Sequence, residues 1–134
     1  MKKFLLGCLV AALGFTSAQA QVVTVSGEIT TNTTWTKNNI YLLNGFVYVE
    51  DGATLTIEAG TLIKGDKASK GTLIITKTGT IQAAGTECEP IVFTSNEPAG
   101  SRTYGDWGGI IILGEAPINV PGGTAVIEGG VDTP

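Results

Sequence analysis

The sequence of 134 residues contains no histidine, and Arg102 is its single arginine. Without histidine, neither a Ser-His-Asp nor a Cys-His nucleophile system can be assembled, and no histidine-ligated zinc site can form. Cysteine is nearly as scarce, with Cys8 and Cys88 alone, and charged side chains make up only 15% of the chain. The aspartates are four, Asp51, Asp66, Asp106 and Asp132, which leaves little for the paired carboxylates of glycosidic hydrolysis. Beyond the first 20 residues no apolar run is long enough to cross a bilayer. No sustained helical period appears in that part either.

What is present begins with a leader. Met1-Lys2-Lys3 is a positive start, Phe4 to Phe15 is an apolar run broken only by glycines, and Ser17-Ala18-Gln19-Ala20 ends in a small-x-small pattern. Together these predict a signal peptide over residues 1–20, cleaved after Ala20, and an exported chain. A membrane anchor is the weaker reading, because the run is too short. Leu5-Leu6-Gly7-Cys8 resembles a lipoprotein box, but cleavage there would leave too few apolar residues ahead of it to act as a signal. Removal of Cys8 leaves Cys88 without an internal disulfide partner. Removing Lys2 and Lys3 leaves 6 of the 8 basic side chains against 12 acidic ones, a formal charge of −6. Such a surface repels phosphate backbones, so no nucleic-acid partner is expected.

Nineteen glycines separate short runs of β-branched and aromatic residues, the pattern of strands joined by turns. The runs recur. Leu55, Ile57 and Ile63 reappear eighteen residues on as Leu73, Ile75 and Ile81, then as Ile91 and Phe93 with Ala99 in the third place, then as Ile110, Ile112 and Ile118. Val47 and Val49 look like an earlier turn of the same kind. Residues two apart face the same side of a strand, so each trio would point into a common core. The expected architecture is all-β, a solenoid whose coils repeat about every eighteen residues and stack aliphatic ladders. An antiparallel sandwich is the alternative, since Asn44-Gly45 and Asp51-Gly52 are hairpin-turn dipeptides.

Residues 21–39 break the pattern, being rich in threonine and asparagine. They are expected to be an amino-terminal cap, with Trp35 lying over the first coil, and residues 40–134 to be the coils. A sugar-stacking platform is the rival role for Trp35. No comparable cap follows Ala125-Val126-Ile127, which points to the front part of a longer protein, or to self-association through an uncapped carboxy-terminal end.

Gly45-Phe46-Val47-Tyr48-Val49, the run from Gly52 to Thr61, Glu89-Pro90-Ile91-Val92-Phe93-Thr94-Ser95 and Asp106-Trp107-Gly108-Gly109-Ile110 together resemble secreted β-helix proteins of Bacteroidota, of the pectate-lyase-like superfamily. The resemblance covers roughly residues 22 to 120. It implies a right-handed parallel β-helix, the hand expected of parallel crossovers. It also implies secretion or an outer-surface location, often through a type IX sorting domain, which this sequence does not contain. It supplies fold more readily than activity.

Lyases of that superfamily would need acidic groups to hold calcium and an Arg or Lys base, and no such convergent set is legible. No calcium-loop spacing and no metal or cofactor site is found. Glu58 and Lys77, nineteen residues apart, are expected to form a surface ion pair. Gly65-Asp66-Lys67-Ala68-Ser69-Lys70-Gly71-Thr72 lacks the Gly-Lys-Thr order of a phosphate loop and reads as a solvated turn. The best ligand-binding candidates are Arg102, Tyr104, Asp106 and Trp107, where two aromatics and two opposite charges share a glycine-rich loop. Packing of Trp107 over the following coil is the stronger reading of that residue. The function expected is a non-catalytic exported or cell-surface β-helix serving adhesion, scaffolding or contact with extracellular polysaccharide. The alternative is the amino-terminal part of a polysaccharide lyase or glycoside hydrolase whose catalytic coils lie beyond residue 134.

Overall fold

The computed structural model of the protein describes residues 20–123 together with 125 and 126. The expected leader therefore lies outside the described residues except for Ala20, as do Ile127 and Asp132. Nine strands follow in order: β1 (Gln21–Ile29), β2 (Thr33–Trp35), β3 (Asn39–Val49), β4 (Thr54–Ile57), β5 (Leu62–Gly65), β6 (Thr72–Ile75), β7 (Thr80–Gln82), β8 (Val92–Ser95) and β9 (Gly109–Ile112). Among the described residues every pairing is parallel, which rules out the antiparallel sandwich.

Three faces arise because β1 and β3 each turn a corner in mid-strand. Their first halves join β5 and β8, with Ile40 opposite Leu62 and Leu62 opposite Val92. Their second halves join β6 and β9, with Phe46 opposite Thr72 and Thr72 opposite Gly109. The third face is β2, β4 and β7. At the corner Gly27 and Gly45 have φ of 75° and 76°, where a side chain would be strained. Asn44-Gly45 thus turns a strand from one face to the next instead of making a hairpin. The chain winds through the three faces in repeated order, the path of a parallel β-helix.

The strands form because β-branched residues alternate inward, where they pack, and outward, where threonines predominate on the third face. Inward ladders run Val23–Tyr41–Ile63–Phe93 on the first face. On the second they run Ile29–Val49–Ile75–Ile112, with Val47, Leu73 and Ile110 alongside. Leu55 meets Ile81 on the third. Leu43, Val47, Val49, Leu55, Ile63 and Leu73 are fully buried, and each contributes roughly 1.5–3 kcal/mol by leaving water.

The eighteen-residue coil is corrected by the register. An eighteen-residue step joins Gln21 to Asn39, but later steps are longer, Ile40 to Leu62, Leu62 to Val92 and Thr72 to Gly109. The step from Leu55 to Leu73 leads from the third face to the second, so those residues are not ladder neighbours. Ala99 is exposed in a loop and Ile118 is exposed beyond β9, so neither fills the third inward place expected of it. Within residues 21–39, where a cap is expected, β1 and β2 contribute strands to all three faces, and Trp35 is an inward residue beside Ile57.

Candidate functional site

The four candidates Arg102, Tyr104, Asp106 and Trp107 lie in the loop of residues 96–108, which links β8 to β9 across the corner between the first and second faces. That corner is turned by Asn44-Gly45 in β3 and by residues 66–71 between β5 and β6. The loops stack upon one another. Gly45 N donates to Ser69 Oγ at 2.9 Å, Asp66 N to Leu43 O at 3.0 Å, and Gly108 N to Gly71 O at 3.0 Å.

Asp106 is the most constrained of the four. Its side chain is 0% exposed, its Oδ2 accepts from Thr103 N at 2.9 Å, and Lys67 Nζ stands 3.1 Å from Oδ1. The lysine is close enough for an ion pair but is not aligned as a hydrogen bond, so Oδ1 has no hydrogen-bond partner. The Thr103 N–H holds the carboxyl below the ordinary carboxylate range against the opposing effect of burial, with Lys67 and the Ser95 hydroxyl assisting. In return, contact with Asp106 and its charge lift Lys67 above the ordinary lysine range, and Glu97 adds to this.

Trp107 is half-buried against the core, but against the preceding coil instead of the following one. The inward ladder Val25–Leu43–Gly65–Ser95 lacks a side chain at Gly65, and the indole occupies that place. A Cβ at Gly65 would collide with the Trp107 Cβ and stand 2.7 Å from ring atoms Cγ and Cε3. Gly65→Ala is therefore expected to displace Trp107 and to cost about 1–3 kcal/mol from overpacking, read as a lower urea midpoint with a red-shifted tryptophan emission. An unchanged midpoint and spectrum would mean that the indole does not sit there.

Arg102 Nε donates to Glu97 O at 2.9 Å and its Nη1 to Thr94 Oγ1 at 3.2 Å, so the guanidinium braces its own loop. Tyr104, at 96% exposed, is the one candidate that projects fully into solvent. The four are thus neighbours in the chain without converging on a common point. Lys67, Ser95 and Gly65, which complete the corner, are missed by sequence reasoning, and the turn of residues 66–71 is pinned instead of merely solvated. Asp66 Oδ2 accepts from Ser69 N at 2.9 Å and Ser69 Oγ at 2.7 Å, which lowers the Asp66 pKa.

Elsewhere the expected Glu58–Lys77 pair is replaced. Glu58 Oε2 accepts from Lys37 N at 3.2 Å, and the Lys37 ammonium pairs with Glu89 at 2.6 Å. Lys77 instead borders, with Glu115 and Ile118, an open groove of about 290 Å³ near the carboxy-terminal coil. Among the described residues no three acidic or cysteine side chains gather closely enough to hold a metal ion, and no helix is long and apolar enough to cross a membrane.

The comparisons with known proteins agree with this architecture. No curated protein and no solved structure matches the chain. A family model described as a pectate-lyase-like β-helix domain matches residues 27–133, well over half the sequence. With its parallel, three-faced coils, the chain belongs to the pectate-lyase-like β-helix domain family.

Proposed function

We propose that the chain is an exported, non-catalytic β-helix scaffold that contacts extracellular polysaccharide or other cell-surface components through its projecting corner loop. The observation that carries this reading is how the corner's polar groups are engaged. Asp106 is buried against Thr103 and Lys67, Arg102 braces Glu97 and Thr94, and Tyr104 stands 96% exposed. An exposed aromatic on a braced loop suits stacking on a sugar face better than it suits proton transfer. The leader over residues 1–20 supports export, and secretion or outer-surface display is part of the proposal. Self-association belongs to it as well, because Ile110 and Ile112 stand 40% and 67% exposed on β9, which among the described residues pairs with β6 alone.

A second reading keeps one supporting observation. The corner loop lengthens from Asn44-Gly45 to residues 66–71 to residues 96–108, so successive coils build an increasingly large projection on one side. Catalytic coils beyond residue 134 would continue that side. The test is to mix the mature chain with insoluble acidic and neutral polysaccharides and to follow both depletion from solution and new chain ends. Depletion abolished by Tyr104→Ala, with no new ends, is the expected result. Release of reducing or unsaturated ends would overturn the non-catalytic reading, and no depletion would overturn glycan contact.

A further inference from the structure

We propose that residues 96–108 form a strap that opens as a unit, latched by the Lys67–Asp106 pair and plugged by Trp107 into the socket beside Gly65. The argument starts from the strap's attachments. Its ends are held by ladder-type bonds, Asn96 N to Gly65 O at 2.9 Å and Gly108 N to Gly71 O at 3.0 Å. Between them Pro98 to Gly105 are all exposed, and no residue belongs to a strand. Its other links to the coil beneath are few. Lys67 meets Asp106, Lys70 Nζ donates to Gly105 O, and Trp107 fills the place above Gly65, while Arg102 bonds Thr94 and Glu97 of its own coil. Opening the strap breaks these contacts and leaves the ladders of β3, β5 and β6 intact, so it costs less than global unfolding.

The latch is of a kind that fails abruptly. A carboxylate with no exposure and one oxygen lacking a hydrogen bond depends on its cation, and losing the Lys67 charge leaves Asp106 buried without one, whereas Lys67, half-exposed, stays solvated. The groups facing Asp106 are Lys67 from the loop between β5 and β6, Ser95 from β8, and the Thr103 N–H of the strap itself. Glu97 lies near Lys67, while Lys70 and Arg102 bind backbone carbonyls of the strap. Because Asp106 is depressed, its contribution is present above the ordinary carboxylate pKa and is lost as pH falls through the depressed value. Because Lys67 is raised, its contribution is present below the ordinary lysine pKa and is lost as pH rises through the raised value. The strap is therefore closed across the middle of the pH range and opens at either extreme, uncovering an indole-sized socket in the coil.

Amide hydrogen exchange on the mature chain reads this directly. Asp106→Asn should speed exchange of the amides from 101 to 107 by about tenfold or more while those of β3 and β6 keep their protection. Lys67→Met, at a half-exposed position, should move acid opening of the strap to higher pH, because Asp106 loses one of the groups that depress it. Equal acceleration in the strap and in β3 and β6 would reduce the pair to a contributor to global stability and overturn the proposal. So would an unchanged strap in the Lys67→Met variant at every pH.

Discussion

An Ile57→Asp variant is expected to lose its cooperative melting transition. Ile57 is 2% exposed at the inward end of β4, beside Trp35 and within the cluster that includes Leu55, Val49 and Ile75. A carboxylate there has no cation within the core to meet it, and either ionised or protonated it would sit among aliphatic groups. The cost should exceed about 4 kcal/mol, because a charge is buried unpaired and a packed side chain is lost together. Against a domain stability of about 5–15 kcal/mol, that consumes most or all of the margin. Ile57→Val, which removes one methylene, should cost only about 0.5–1.5 kcal/mol and keep the transition. Circular-dichroism melts of the two variants beside the parent make the comparison. A parent-like melt for Ile57→Asp would place this residue outside the core.

The inward residues were legible before the structure. Leu55, Ile57, Ile63, Leu73 and Ile75 are all buried, as their alternation predicts. Their partners were not legible, for a geometric reason. A strand of a β-helix has the same two-residue alternation on every face, so the pattern marks what points inward without marking which face it is on. The face is set by how many residues each corner consumes. The loops at 66–71 and 96–108 differ in length, and a fixed step drifts from one face to another. Eighteen residues therefore linked Leu55 to Leu73 across two faces, although each has its true neighbour elsewhere, Ile81 and Val47 respectively.

The corner was legible as a place and illegible as an arrangement. Arg102, Tyr104, Asp106 and Trp107 stand out in sequence because aromatics and charges are sparse. Nothing in the sequence signals that Asp106 is buried, since an aspartate amid glycines ordinarily marks a solvated turn. Its cation, Lys67, lies on the preceding coil and far away in the chain. Gly65 carries the same lesson, because it resembles any turn glycine until the indole from the next coil is seen in its place. Contacts between coils are set by register, and register is what the one-dimensional pattern failed to carry.

Trp35→Ala should be the largest loss among truncations that introduce no charge. The indole is 2% exposed and stacks on Tyr41, with ring centroids 4.7 Å apart and planes within 14°. Tyr41 is anchored in turn, since its hydroxyl accepts from Thr36 N at 2.8 Å, and Trp35 O accepts from Glu58 N at 2.9 Å. The first and second coils are thus joined by an aromatic pair inside and by backbone bonds at the turn. Truncation to alanine should cost about 3–5 kcal/mol from lost burial and the cavity left behind. Trp35→Phe, which keeps a ring against Tyr41, should recover most of this. Urea unfolding at fixed pH measures both, and the midpoints should fall in the order parent, Phe, Ala. The rival role of this residue, a platform for a sugar ring, makes the opposite forecast. There Trp35→Ala would unfold like the parent and lose only glycan binding. A residue with almost no surface cannot stack on a ligand while it stacks on Tyr41, so the stability loss is the outcome that follows from the geometry.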